Sequence, residues 1–237
     1  MSGDNIYLLT ALPTLGELGS VPPISPSQLL EMVTDSKKSR ILVETLLISN
    51  DLLQRQAFLS GEIEEPYPIV LTRQQVTDNE PLPEYLEEYI SDTSGESTLN
   101  AIWEAYYRYA EFVADQHRSA FLKEFIKYEI GLRNALARAR AKALNIDPHD
   151  SIVAQDLGED DTSFTALISE WTSATDPLKG LRVLDEARFK WLWENDEWFT
   201  FHSDELVAYA AKLMLLHRWY QIEKGPSSKS QEVRVNE

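Results

Sequence analysis

Residues 99–147 carry an apolar stripe in helical register with no proline to interrupt it, and few folds accommodate such an element. Leu99, Ile102, Trp103, Tyr106, Ala110 and Val113 open the stripe, and Phe121, Phe125, Tyr128, Leu132 and Leu136 continue it. As one α-helix of about 45 residues it is roughly 65 Å long at a rise of 1.5 Å per residue, which exceeds the diameter of most single domains. The stripe either breaks near residues 116–119 or at Gly131, or it runs as a spine shared by two helical modules. We expect the spine, continuous or kinked.

Its second half is basic in an acidic chain. Arg118, Lys123, Lys127, Arg133, Arg138, Arg140 and Lys142 stand there against Glu124 and Glu129, a local balance of +5 in a protein of formal net charge −17. Such segregation implies an acidic partner or an acidic internal face. The structural alternative is a solvated face supported by pairs such as Glu129–Arg133 at the favourable i,i+4 spacing. Asn134 is a poor mid-helix residue, and a polar Arg133–Asn134 pair among Ile130, Leu132 and Leu136 suggests side chains bonded to nearby backbone. Both roles stay open at this point.

The rest of the chain reads as helices joined by punctuated loops. Residues 6–10 form a short strand or an apolar extended arm. Ser25 followed by Pro26 is a helix start, and a longer helix is predicted over residues 36–59, stopped by Gly61. Further helices are predicted over residues 84–90, 163–173 and 177–194, and from Ser203 to Gly225, with Ser203 as cap and Asp204 and Glu205 at the positive end of the dipole. The expected fold class is all-α, antiparallel helical hairpins or bundles sharing a long central helix. The expected organisation is an N-terminal module with an arm at 1–97, a connecting helix at 98–147, a C-terminal module at 148–224 and a disordered tail at 225–237.

Chemistry-bearing constellations are sparse. With no cysteine, disulfides and thiolate sites are excluded. His117, His149, His202 and His217 stand in none of the spacings that place ligands on one helical face. Asp156, Glu159, Asp160 and Asp161 lack the alternation of a calcium loop. No nucleophile elbow or phosphate-cradling glycine loop is present, so we expect neither catalysis nor a cofactor. Strong acidity disfavours nucleic acid as a partner. No stretch approaches the roughly 18 apolar residues of a spanning helix, and the N-terminus does not resemble a secretory signal. A cytoplasmic protein without direct membrane insertion is expected. The aromatic segment at residues 190–201, with Trp191, Trp193, Trp198, Phe199 and Phe201, is either a binding hot spot or packing in the joint between the last two helices.

The run Glu129, Arg133, Asn134, Arg140, Ala141 and Lys142 resembles the Glu-x-Asp-x-Arg-Asn helix, continuing to Arg-Ala-Lys, of the C subunits of V-type ATPases, called d in the eukaryotic enzyme. The aspartate of that pattern falls on Gly131. The whole chain is similar to a short bacterial family encoded within V-type ATPase operons, through residues 7–13, 23–25, the Glu129 helix and residues 190–193. This resemblance implies a non-catalytic structural component of a V-type ATPase or ATP synthase, built like the C subunits and serving ion or proton transport by coupling the central rotary shaft to the membrane ring. It would be cytoplasmic and peripheral to the membrane through complex assembly, with the other ATPase subunits as partners. The alternative is a helical adaptor holding an acidic protein outside any ATPase. Candidate partner-binding residues under either reading are Arg133, Asn134, Arg138, Arg140, Lys142, Trp193 and Trp198.

Overall fold

The computed structural model describes residues 5–34, 36–90, 99–197 and 200–224. Among the described residues there are ten α-helices and no strand, so the fold is all-α. In chain order they are α1 (Ile6–Ala11), α2 (Pro26–Met32), α3 (Lys37–Leu59), α4 (Arg73–Val76), α5 (Glu84–Glu87), α6 (Leu99–His117), α7 (Ala120–Leu144), α8 (Thr165–Thr172), α9 (Pro177–Glu194) and α10 (Ser203–Lys224). The sequence also predicts a loop over residues 91–97, which, like the expected tail at 225–237, lies outside the described residues.

The helix starts follow local chemistry. Ser25 accepts from the Gln28 amide while the Gln28 side chain accepts from the Ser25 amide, a capping box with Pro26 at the first helical position. Ser36 caps α3, and Asp176 caps α9 ahead of Pro177. Residues 6–10 are the first correction: they form helix α1 rather than a strand or arm. The run satisfies its own backbone, with the Thr10 hydroxyl donating to the carbonyls of Ile6 and Tyr7 at 2.8 and 3.1 Å.

The second correction is the spine. The long stripe divides at Arg118, which takes a left-handed conformation (φ 50°), and Ser119 caps the new helix by accepting from the Leu122 amide at 3.3 Å. A non-glycine residue there costs about 1–2 kcal/mol. A serine cap offsets about 1 kcal/mol of that, and tertiary contacts add more. Asp204, at the start of α10, accepts from Ser119 Oγ at 2.5 Å and from the Phe121 amide at 3.2 Å. The turn lets α7 fold back along α6, and the two pack together.

Burial supplies the driving force. α7 buries Phe121, Leu122, Phe125 and Ile126 in the main core, and Tyr128, Leu132, Ala135 and Leu136 in a second cluster covered by Phe164, Leu184 and α8. A straight rod would leave much of this double-sided apolar surface in water, at about 25 cal/mol per Å². α10 is buried nearly all round and packs most extensively on α3, as a helix without a polar face must. Helices expected in the first and last modules thus contribute to one apolar cluster.

Ser203 is the third correction. It lies in the first turn of α10, where its hydroxyl accepts from Ser39 Oγ at 3.1 Å. Glu205 reaches back instead, accepting from the Phe201 amide at 2.9 Å.

Candidate functional site

Asp185 on α9 has no exposed surface, and it accepts from three donors. Arg188 Nη1 donates at 2.9 Å, Trp219 Nε1 at 3.0 Å, and Arg218 Nη1 to both oxygens at 3.3 Å. Arg188 Nε in turn donates to Glu129 Oε1 of α7 at 2.8 Å. This buried chain of charges ties α7, α9 and α10 together. Burial opposes the charge on Arg188, but the Glu129 and Asp185 carboxylates outweigh it and hold its pKa above the ordinary value. Glu129 therefore pairs across helices with Arg188, not along its own helix with Arg133 as the spacing suggests.

A cleft of about 530 Å³ opens beside this chain of charges, walled by α3, α6, α7, α9 and α10. Its charged lining is Glu129, Arg133, Arg140, Arg188 and Arg218. Arg133 lies over the Trp103 ring at 4.8 Å and donates to Asn100 Oδ1 at 3.3 Å. Burial lowers its pKa, the Tyr107 oxygen works against that, and the nearby Arg140 guanidinium lowers it further.

The other candidate residues have distinct fates. Asn134 is buried and clamps Val153, donating to its carbonyl oxygen at 2.8 Å and accepting from its amide at 3.1 Å. The expected backbone bonding is thus present, but to a distant loop. Arg138 is half-buried and Lys142 exposed. Arg140 is exposed, with its guanidinium 5.5 Å from the Trp171 ring centre. Trp193 is half-buried, edge-on to Phe189, with Lys212 Nζ 4.0 Å from its ring centre; Lys212 pairs with Asp196 beneath it. Trp191 fills the joint between α9 and α7, stacked on Tyr128 at 5.0 Å. Trp198 and Phe199 lie outside the described residues.

The place where the resembling pattern departs also has a physical cause. A β-carbon on Gly131 would meet Phe164 Cε2 at 2.7 Å and the Glu159 carbonyl oxygen at 3.1 Å. The loop that crosses there bonds to α7 through the Glu159 amide and the Lys127 carbonyl, 3.1 Å apart. Gly158 is equally constrained, because its β-carbon would meet Ile130 Cγ2 at 2.7 Å. Two glycines at one crossing allow backbone to approach backbone. Part of the acidic cluster is committed nearby, with Asp156 pairing to Arg108 at 3.0 Å. Among the described residues, no group of three or more acids and histidines is placed to hold a metal ion.

Sequence reading did not find Asp185, Arg188 or Arg218 as site residues. They belong to helices distant in sequence from Glu129, and no local spacing connects them. The family model described as "Protein of unknown function (DUF2764)" matches residues 47–232. No curated protein and no solved structure matches the chain.

Proposed function

The chain belongs to the DUF2764 family, and we propose that it is a non-catalytic structural component of a V-type ATPase or ATP synthase, joining the rotary shaft to the membrane ring. The observation that carries the proposal is the position of the residues that resemble the C-subunit pattern. Glu129, Arg133 and Asn134 all lie on α7, the helix gripped from both sides by the two apolar clusters. Glu129 and Asn134 lock that helix to α9 and to the loop at Val153. Residues spent this way stiffen a body, which is what a part that transmits torque requires.

The same helix ends in a surface of mixed character. Lys142 is exposed, and Leu144 and Ile146 are 69% and 59% exposed. Large apolar side chains presented beside a cation are the composition of a protein contact. In this proposal that end of α7 meets an acidic face of a neighbouring ATPase component, and the protein reaches the membrane surface only through the complex. Among the described residues no helix is long and apolar enough to cross a membrane.

The test is capture of tagged chain from its native host. Wild type is expected to retain shaft and ring components. The double variant Arg138→Glu with Lys142→Glu is expected to lose them while keeping its helical circular dichroism. Unchanged capture by the folded double variant contradicts the assigned contact, and partners unrelated to an ATPase favour the adaptor reading instead.

A further inference from the structure

The cleft is short of acceptors. Four guanidiniums, Arg133, Arg140, Arg188 and Arg218, line it, and Glu129 and the buried Asp185 are the carboxylates that answer them. Both carboxylates are engaged by Arg188, and Asp185 also by Arg218. Two positive charges therefore remain unmatched in a cavity of a protein whose formal net charge is −17.

A neutral donor points the same way. Trp103 Nε1 is buried without a hydrogen-bond partner, and Trp103 lines the cleft. An indole N–H is a donor with no acceptor capacity, so only an incoming acceptor can satisfy it. The rest of the wall is largely apolar, including Leu53, Phe125, Leu181 and Met214.

We propose that this cleft is a binding site for a small phosphate monoester carried on a flat apolar body. The phosphate oxygens supply the acceptors that Trp103 and the arginines lack, and the group's charge of about −1.5 to −2 at neutral pH matches the two uncompensated guanidiniums better than a monoanionic carboxylate would. The apolar body rests on the aliphatic wall. The volume falls within the roughly 300–1,000 Å³ usual for small-molecule sites. The site stands on its own donors and charges and is independent of the ATPase reading.

Calorimetric titration of the full chain with phenyl phosphate, inorganic phosphate and benzoate tests it. Phenyl phosphate is expected to bind one-to-one, about tenfold more tightly than either of the other two, which is the ratio that about 1.4 kcal/mol gives. Trp103→Phe keeps an aromatic face and removes the N–H donor, and Arg140→Gln changes an exposed side chain; each is expected to weaken phenyl phosphate about tenfold. Lys190→Gln, on an exposed part of α9, is expected to change nothing. Three results overturn the proposal: no saturable binding at millimolar phenyl phosphate, affinities unchanged in both folded cleft variants, or equal weakening by Lys190→Gln.

Discussion

Asn134 holds Val153 by both of its backbone polar groups, accepting from the amide at 3.1 Å and donating to the carbonyl at 2.8 Å. One side chain thereby replaces the backbone partner that the segment after α7 lacks. Truncation leaves a buried amide and carbonyl unpaired, each at a cost of about 1–3 kcal/mol before water enters. Asn134→Ala is expected to destabilise the protein by about 2 kcal/mol in urea denaturation. Amide exchange should accelerate first around Val153, and an unchanged exchange pattern there would contradict the clamp.

Asp185 lies fully buried between Arg188 and Arg218. Removing one partner of a buried ion cluster typically costs about 3–5 kcal/mol, because the remaining charges are left desolvated. Asp185→Ala is expected to lose that amount in equilibrium unfolding. Glu129→Gln, which keeps an acceptor for Arg188, is expected to lose distinctly less. Equal losses would mean that charge, not the retained hydrogen bond, dominates the cluster.

Gly131 is the point where the chain departs from the C-subunit pattern. Gly131→Asp restores that pattern but forces a β-carbon against Phe164 and the Glu159 carbonyl. Overpacking of this kind costs about 1–3 kcal/mol. Gly131→Asp is therefore expected to lower the melting temperature. Shortening the neighbour in Gly131→Asp with Phe164→Leu should recover part of the loss, and a variant as stable as wild type would show that the crossing is looser than described.

Asp156 is held below the usual carboxylate range, chiefly by the hydrogen bond from Arg108. A carboxyl with a depressed folded pKa contributes stability above its unfolded pKa and loses it as pH falls through the folded value. Because the pair is largely exposed, the effect on stability is small, so the readout is NMR titration. The Asp156 carboxyl should titrate below 3.8 in wild type and move upward in Arg108→Gln.

Legibility in the sequence depended on whether the signal was local. The boundaries of α3 and α9 follow from Ser36, Asp176 and Pro177, residues that act on the backbone beside them. The break at Arg118 carries neither proline nor glycine. It is stabilised by Asp204, which is 85 residues from Ser119, so periodicity alone favours a rod. The same reason hides most of the cleft. Arg133 and Arg140 stand out as part of a basic helix, whereas Arg188 and Arg218 lie on α9 and α10 and meet them only after α7 folds back. Asn134 is conspicuous as a poor helix residue, and its role is tertiary.

Membership of a rotary assembly is decided by native gel electrophoresis of gently solubilised membranes from the source cell, probed for this chain. If the protein joins shaft to ring, it migrates with the intact V-type ATPase and is released when the shaft dissociates from the ring. Migration solely as a free protein of its own mass, with the ATPase present and intact on the same gel, would contradict that role.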